Sequence, residues 1–243
     1  MNNFVVQAES LEWLKQQKDN SFDLFVLDPP YNVSYKYNTF KDNKPQQTYI
    51  DEQIEILKEC NRCLKPTGSI FYLNYPENAA DVWAKVDFMN RFEWITWVYN
   101  VHASGKPIRK ASRAWLWLTK TDIPKIIYDA FQGEYKNPTD KRIQGMIAQG
   151  KKPQMYDWIN MEQVKNVSKE KRDHPCQLPE KMVETLISGT TDSGDLVGDC
   201  YSGSGTTGIC AVRLGRNFAG CDMDTKYVKD ANEWIEKEIK KTT

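Results

Sequence analysis

One tetrapeptide in the chain combines the residue types needed to act on an amino group. Asp28-Pro29-Pro30-Tyr31 directly follows the apolar run FDLFVL. Because proline has no N–H, the peptide there offers carbonyl oxygens without a competing donor. A carboxylate and a carbonyl can hold both hydrogens of an –NH₂ group, and these bonds draw the nitrogen lone pair out of conjugation. Tyr31 can stack on a base that has left the duplex.

The position of the tetrapeptide favours chemistry over its structural alternative, a strand that ends in a proline-capped turn. Nearly continuous apolar sequence over residues 22–27 predicts a strand buried on both faces of a parallel sheet. In α/β proteins ligands bind at the carboxyl ends of such strands. We therefore predict that Asp28, Pro29, Pro30 and Tyr31 are catalytic residues.

A glycine loop near the other end of the chain forms a second candidate site. In LVGDCYSGSGTT (residues 196–207), Gly203 and Gly205 allow a tight turn and a close approach to a ligand, and a predicted helix begins directly after them. Asp222 ends the next predicted strand, where a carboxylate can accept hydrogen bonds from ribose hydroxyls. A plain tight turn is the alternative, but strand, loop, helix, strand and acid together favour a nucleoside site. The Walker pattern is absent, and the third glycine of the G-x-G-x-x-G spacing, Gly208, lies inside the predicted helix.

Hydrophobic periodicity predicts the elements that position these sites. Strands alternate with helices over residues 1–100 and 174–243, which predicts an α/β fold with a doubly wound, mainly parallel, Rossmann-like sheet. A turn is expected at residues 65–68, and Ser10 is expected to cap the first helix. Periodicity fades over residues 101–173. We interpret this segment as an insertion in a catalytic core, formed by residues 1–100 and 174–243, that carries the nucleoside site.

Composition excludes several classes of protein. The 243 residues include 40% hydrophobic and 27% charged residues, as in globular domains, and neither a signal peptide nor a membrane-spanning run is found, so we expect a cytoplasmic location. The six cysteines lie in periodic segments, which is typical of a reducing compartment. Cys60 and Cys63 lack a second ligand pair, so helix packing is the interpretation and no metal site is predicted.

The net charge of zero conceals a basic segment. Residues 101–173 hold 15 Lys and Arg against 8 Asp and Glu, a net charge of +7, and the remainder has −7. A local contact with a polyanion is one interpretation, and a solvated loop face is the other. The residues expected to contact nucleic acid are Lys106, Arg109, Lys110, Arg113, Lys141, Arg142, Lys151 and Lys152.

The two motifs together resemble the amino-methylating DNA methyltransferases, which modify adenine N6 or cytosine N4. The order of tetrapeptide, basic segment and glycine loop is similar to the beta class, a circular rearrangement of the methyltransferase sheet. HPCQLP at residues 174–179 resembles the family's His-Pro-Thr-Gln-Lys-Pro. Residues 199–201, Asp-Cys-Tyr, depart from the usual Asp-Pro-Phe, and Cys176 stands where the family has Thr.

The resemblance implies S-adenosyl-L-methionine as the cofactor and duplex DNA as the partner, read by residues 101–173 as a target-recognition insertion. Asp28 and Pro29 would hold the amino group of a flipped base, Tyr31 would stack on it, and Asp222 would bind the ribose. A carboxylate at position 28 favours adenine, because cytosine N4 enzymes often carry Ser there. The implied cofactor-binding residues are Glu9, Asp28, His174, Gln177, Asp199, Tyr201, Gly203, Ser204, Gly205, Thr206 and Asp222.

Several alternatives stay open at this point. Pro175-Cys176-Gln177 also matches the nucleophile motif of cytosine C5 methyltransferases, but an amino nitrogen needs no thiolate. Cytosine N4 methylation, RNA methylation and a non-catalytic cofactor-binding regulator of nucleic acid are the rival functions. A cognate restriction endonuclease and a homodimer are open as partners, and no membrane partner is expected.

Overall fold

The computed structural model describes residues 3–35, 42–100, 107–165, 168, 170–172 and 176–242. Its strands are β1 (Phe4–Gln7), β2 (Phe22–Leu27), β3 (Leu64–Asn74), β4 (Asn90–Val98), β5 (Ser112–Thr119), β6 (Trp158–Asn160), β7 (Leu196–Asp199) and β8 (Asn217–Asp222). Its helices are α1 (Ser10–Lys15), α2 (Gln46–Cys63), α3 (Pro76–Lys85), α4 (Lys141–Ala148), α5 (Glu180–Thr190), α6 (Thr206–Arg213) and α7 (Thr225–Thr242), with a 3-10 turn at Tyr128–Ala130.

The described strands form one eight-stranded sheet in the order β1-β8-β7-β2-β3-β5-β4-β6. The pairs on either side of β5 are antiparallel, and every other pair is parallel. Strand β5 is therefore the one strand of this sheet that runs against the rest. The predicted α/β fold with a doubly wound, mainly parallel sheet is confirmed.

Helices cover both faces of the sheet, as the apolar strands require. Along β2, Leu24 and Val26 face a core that includes residues of α5, α6 and α7. Phe22, Phe25 and Leu27 face the opposite core, to which α1, α2 and α3 contribute. All six residues of β2 are buried, which explains why five of them are apolar and only Asp23 is polar.

The connections reverse direction between β7 and β2, which are neighbours in the sheet. The chain passes from β7 through α6 to β8 on one side, and from β2 through α2 to β3 on the other. A crevice forms where two such connections diverge beyond the carboxyl ends of the strands, and α/β proteins bind ligands there. Asp199 ends β7 and Asp28 follows β2, so both motifs meet at this point.

Three sequence expectations need correction. Residues 65–68 belong to β3 rather than to a turn, because Leu64 already pairs with Phe22 and the Lys65 ammonium binds Asp23 at 2.8 Å. Glu9 caps α1, accepting from the Glu12 amide at 3.0 Å, and Ser10 is the first helical residue. Strand β5 lies in the middle of the sheet although the sequence placed it in the insertion.

The remainder of the segment from 101 to 173 contributes little regular structure in its described part. It holds the 3-10 turn, α4 and the three-residue edge strand β6. No helix of the described residues is both long and apolar enough to cross a membrane.

Candidate active site

A cavity lies at the point where the strand connections reverse. It encloses about 1210 Å³ when its open mouth is included. Asp28 beyond β2, Asp199 at the end of β7 and Asp222 at the end of β8 all line it, and so does Glu9 beyond β1. The carboxyl ends of four parallel strands thus bring residues that are far apart in sequence into one pocket.

Asp28 is a buried carboxyl group whose Oδ1 accepts a hydrogen bond from the Tyr31 hydroxyl. Burial raises its pKa to about 6, while the Arg113 guanidinium and the Tyr31 hydrogen bond act in the opposite direction. The pKa of Tyr31 is raised as well, first by burial and then by the Asp28 charge, so Tyr31 stays a neutral donor. At neutral pH the site therefore presents a carboxylate that can accept further hydrogen bonds.

The backbone carbonyls of the tetrapeptide are divided between the fold and the cavity. The Tyr49 hydroxyl donates to the Pro30 carbonyl at 2.8 Å, and the Asn78 amide donates to the Tyr31 carbonyl at 2.7 Å. No described residue donates to the carbonyl of Pro29, which lines the cavity. The acceptors open to a ligand are thus the Asp28 carboxylate and the carbonyl beside it, the pair that the sequence argument requires.

A buried polar network supports this arrangement. Asn74, at the end of β3, donates to the hydroxyls of Tyr49 at 2.7 Å and Tyr72 at 2.9 Å, and its oxygen accepts from Asn78 at 3.0 Å. Tyr72 donates to Gln53 at 3.2 Å. Buried networks that are this well satisfied rigidify the groups they hold.

The same network reaches the glycine loop. The hydroxyl of Tyr201 lies 3.5 Å from the Gln53 oxygen that also accepts from Tyr72. Side chains on β3 and α2 therefore connect the tetrapeptide to the loop after β7.

The segment after the tetrapeptide is fixed by a second acid. Asp42 is buried, and its carboxylate accepts from the backbone amides of Asn32 at 2.6 Å and of Val33 and Tyr35 at 3.0 Å. Asn32 and Ser34 have positive φ angles of 57° and 60°, so this turn presents several amides to one anion. The Asp42 carboxylate thus fixes the backbone of residues 32–35 directly after the tetrapeptide.

Asp222 is oriented by the glycine loop. Its Oδ2 accepts from the Gly203 amide and its Oδ1 from the Asp224 amide, both at 2.9 Å. Burial raises its pKa, and these amide bonds counteract the rise. A carboxylate fixed from one side by two backbone amides can accept hydroxyl hydrogens from the cavity side, as a ribose requires.

Asp199 is a third buried carboxyl group. Burial raises its pKa to about 7, although a hydrogen bond with the Thr207 side chain and one from the Tyr201 amide, at 2.8 Å, lower it. Asp28 and Asp222 contribute smaller repulsions in the same direction as burial. The cavity thus collects carboxyl groups that repel one another, and a cation is the ligand that relieves the repulsion.

The glycine loop is shaped by one close approach. Gly205 has φ = +75°, and a Cβ there would lie 2.9 Å from the Cβ of Ala231. The Ser204 and Thr206 hydroxyls are 2.9 Å apart, and Arg172 donates to Thr206 at 2.8 Å. Ser204 and Thr206 line the cavity.

Gln177 occupies a different place from the one expected. Its side chain accepts from the Arg172 amide and donates to the Glu170 carbonyl, both at 2.7 Å, and it does not line the cavity. Its described role is to hold the backbone that carries Arg172. The neighbouring residue Cys176 lines the cavity instead, and His174 lies outside the described residues.

The charge of the lining matches a cationic nucleoside. Among the described lining residues there are six acids, Glu9, Asp28, Glu52, Asp199, Asp222 and Asp224, and one base, Lys44, which pairs with Glu52 at 2.5 Å. A nucleotide with phosphate groups would meet repulsion here. S-adenosyl-L-methionine carries a sulfonium, an ammonium and one carboxylate, for a net charge of +1, together with two ribose hydroxyls, so this set of acceptors fits it.

Comparison with known proteins identifies the family. The family model described as DNA methylase, for N6 and N4 methyltransferases, matches residues 22–233. The chain belongs to the N6/N4 DNA methylase family. Members of this family depend on S-adenosyl-L-methionine, which is the cofactor expected from the sequence.

Individual members show how far the similarity extends. The type II methyltransferase M.BglII of Bacillus subtilis is 32% identical over 93% of this chain and 67% of its own length. The DNA adenine methyltransferase YhdJ of Escherichia coli K12 is 27% identical over 93% of the chain and 80% of its own length. The structure of the cytosine-N4-specific PvuII DNA methyltransferase superposes with a TM-score of 0.71 at 19% identity, covering 98% of this chain and 91% of that one, which shows the shared fold.

The structure divides the expected nucleic-acid residues of this methylase. Arg113 is buried in β5 among aromatic rings, so it is not a phosphate contact on the surface, because the strand turns it inward. Lys110 is exposed and pairs with Glu77 at 2.5 Å. The remaining described residues of the set are exposed, namely Arg109, Lys141, Arg142, Lys151 and Lys152, and Lys106 lies outside the described residues.

Sequence reasoning missed the residues that support the site. Asn74, Asn78 and Tyr49 carry the network under the tetrapeptide, and Arg172 contacts the glycine loop. One signal was available: Asn74 is a polar residue directly after the apolar run SIFYL, at the carboxyl end of a predicted strand. The partners of Tyr49 and Arg172 depend on tertiary contacts that no local pattern indicates.

Proposed function

We propose that this methylase transfers a methyl group to the exocyclic N6 of adenine in double-stranded DNA. The observation that carries the proposal is the arrangement at Asp28, where a buried carboxylate and the Pro29 carbonyl are the acceptors left open at the cavity end of β2. Bound S-adenosyl-L-methionine supplies the methyl group.

The residues of the chain act on the amino group by hydrogen bonding and positioning. Asp28 and the Pro29 carbonyl each accept one amino hydrogen, which directs the nitrogen lone pair out of the plane of the base. Tyr31, whose hydroxyl is bound to Asp28, offers its ring to the flipped base. Asp28 is also the nearest group able to receive the proton released after transfer.

The cofactor end is served by the elements on the other side of the reversal point. Asp222 accepts from the ribose hydroxyls, and Tyr201, Gly203, Ser204 and Thr206 enclose the nucleoside. Glu9 lines the cavity beyond β1, where it faces the adenine of the cofactor. His174 is proposed to complete the methionine end.

Duplex DNA is proposed to lie across the carboxyl edge of the sheet and over the segment from 101 to 173, which serves as the target-recognition region. The exposed cations of that segment, with its net charge of +7, supply phosphate contacts. A cognate restriction endonuclease is a further proposal, supported by the type II names of relatives. A homodimer stays a proposal from the sequence alone.

Adenine is favoured over cytosine by the carboxylate at position 28 and by the adenine methyltransferase among the relatives. Cytosine N4 methylation is the second candidate, because the amino group of cytosine would fit the same two acceptors and a cytosine-N4 enzyme shares the fold.

The test is product identification. The protein is incubated with S-adenosyl-L-methionine carrying a tritiated methyl group and duplex DNA of mixed sequence, and the digested nucleosides are separated. Labelled N6-methyladenine is expected. Labelled N4-methylcytosine would mean that the target base is cytosine, with the same residues acting on its amino group. Label on RNA alone, or on no nucleic acid, would overturn the proposal.

A further inference from the structure

Arg113 is a buried cation with an unusual environment. It is 8% exposed, and among the described residues it forms no ion pair with a carboxylate within 4.0 Å. Its Nε has no hydrogen-bond partner in the same part of the chain. Burying a charge without an ion pair is costly, so we expect the Arg113 guanidinium to be stabilised by other groups around it.

Aromatic rings supply part of that interaction. The guanidinium lies 4.8 Å from the centroid of the Tyr31 ring, 5.3 Å from Trp97, 5.6 Å from Tyr75 and 5.7 Å from Tyr99. Ring faces attract a cation, and the attraction is strongest where water is excluded. Tyr31 is the nearest of the four, and it is a residue of the tetrapeptide.

Asp28 supplies the counter-charge. Tyr31 stacks against Arg113 and donates its hydroxyl to Asp28, so the three groups form a continuous row. The electrostatic effect is mutual: Arg113 lowers the pKa of Asp28 against the effect of burial, and Asp28 raises the pKa of Arg113.

The other described ionisable groups around this row do not replace Arg113. Asp199 and Tyr49 face Asp28 from β7 and α2, and Cys176 faces Tyr31. Carboxyl, phenol and thiol groups are neutral when protonated and negative when deprotonated, so none of them can supply a positive charge. Arg113 is therefore the cation that offsets the burial of the carboxylate within the described residues.

We propose that Arg113 is a positioning residue for methyl transfer: it provides the counter-charge for the Asp28 carboxylate and clamps the Tyr31 ring that donates to it. This inference rests on the proposed function. The antiparallel strand β5 is what brings the arginine to the carboxyl edge, because its first residues lie beside the last residues of β3 and β4. The role assigned to β5 is thus to deliver a cation to the site.

The pH profile of transfer separates this role from a structural one. Single-turnover methyl transfer is measured between pH 5.5 and 9 at saturating cofactor and DNA, for the wild type, Arg113→Met and Arg113→Lys. Without the cation the pKa of Asp28 rises further, so more of the carboxyl is protonated at a given pH. The acid limb of the profile, where the rate falls as the pH is lowered, should lie about one pH unit higher in Arg113→Met than in the wild type. At a given pH on that limb the rate should be about tenfold lower. Arg113→Lys should keep the limb near its wild-type position.

Matched variants control for folding. Arg91→Met removes an arginine that also stacks on a ring, 5.9 Å from the Trp83 centroid, but lies at the opposite end of β4. It should leave the pH profile unchanged. If Arg113→Met does not bind S-adenosyl-L-methionine, Arg113→Gln is the neutral variant measured instead.

The outcomes are distinguishable. An acid limb that stays in place in the neutral variant, with a uniform loss of rate, overturns the inference and leaves a structural role. An acid limb that moves in Arg113→Lys as far as in the neutral variant also overturns it. Absence of methyl transfer by the wild type refutes the proposed function rather than the role of Arg113.

Discussion

Gly205 is the residue at which backbone conformation and packing restrict the sequence most. Its φ of +75° disfavours any side chain, and Ala231 occupies the space that a Cβ would need. Gly150 has a similar φ of +71°, but a Cβ added there would meet no atom within 4 Å. Comparing substitutions at the two glycines therefore separates the cost of a positive φ from the cost of a steric clash.

Gly205→Ala should weaken both folding and cofactor binding, whereas Gly150→Ala should cost only the left-handed strain of about 1–2 kcal/mol. The measurements are denaturant unfolding and equilibrium binding of S-adenosyl-L-methionine. Equal stability losses in the two variants, with normal cofactor binding in both, would contradict the close packing of the loop on α7.

Most of the catalytic and cofactor-binding residues expected from the sequence line the cavity, whereas Arg113 was expected on the surface and is buried. Asp28 and Asp222 were found because an apolar strand directly precedes each, and the carboxyl end of a strand fixes where the next residue lies. Arg113 stands in a run of basic residues that suggests a surface. Only the pairing of β5 between β3 and β4 shows that the side chain is buried.

At the level of elements, α2 and β3 hold the tetrapeptide at residues 28–31 through the Tyr49 hydroxyl. Tyr49→Phe removes the donor to the Pro30 carbonyl and should cost about 0.5–1.5 kcal/mol of stability. It should also slow methyl transfer, because the tetrapeptide loses one anchor. Tyr72→Phe, in the same network but without a bond to the tetrapeptide, is the control. A slower transfer in Tyr72→Phe than in Tyr49→Phe would contradict this division.

Trp158, the first residue of edge strand β6, and Tyr156, two residues before it, form an exposed aromatic pair. Tyr156 and Trp158 are 41% and 40% exposed, their rings are within 7° of parallel, and the Lys136 ammonium lies 4.2 Å and 5.1 Å from their centroids. Flat rings with a cation suit a nucleobase and a phosphate.

Alanine at both Tyr156 and Trp158 should therefore weaken binding of a duplex that contains an unpaired base about tenfold, since stacking on an unpaired base contributes about 1–3 kcal/mol. Trp234→Ala is the control, because Trp234 is 39% exposed with the Lys237 ammonium 4.4 Å from its ring, but lies on α7. Fluorescence anisotropy with labelled duplex measures both. Equal losses would contradict a specific role of β6.

Element boundaries were predicted best where strands are continuously apolar. The bounds of β2 agree with the prediction over residues 22–27, because burial on both faces leaves one apolar run in that strand. The turn predicted at residues 65–68 was wrong. Pro66 and Gly68 suggest a turn, but pairing with β2 extends the strand through these residues. The segment from 101 to 173 has short elements whose partners lie elsewhere in the sheet.

At the level of the whole molecule, the buried carboxyl groups couple stability to pH. The folded pKa values of Asp28, about 6, and Asp199, about 7, exceed the ordinary value of 3.8. Between pH 4 and pH 7 the folded protein thus binds more protons than the unfolded chain, and the free energy of unfolding falls as the pH rises.

Denaturant unfolding of the cofactor-free protein should accordingly show lower stability at pH 8 than at pH 5. Carboxyl groups with lowered pKa values, such as Glu180 and Asp195, act below this range, where their ion pairs are lost as the pH falls. Asp199→Asn should flatten the dependence between pH 5 and pH 8. An equally steep profile in that variant would contradict the assignment to Asp199.

In the proposed function the cavity has two ends with separate tasks, methyl transfer at Asp28 and cofactor binding at Asp222. The decisive measurement is the single-turnover rate of methyl transfer together with the dissociation constant of S-adenosyl-L-methionine, for Asp28→Asn and Asp222→Asn. Asp28→Asn should lose methyl transfer by about 100-fold or more, while its affinity for the cofactor stays within about threefold of wild type. Asp222→Asn should lose about 10-fold to 100-fold in affinity and regain transfer at high cofactor concentration. Wild-type transfer by Asp28→Asn, or an equal loss of cofactor affinity in both variants, would contradict the claim.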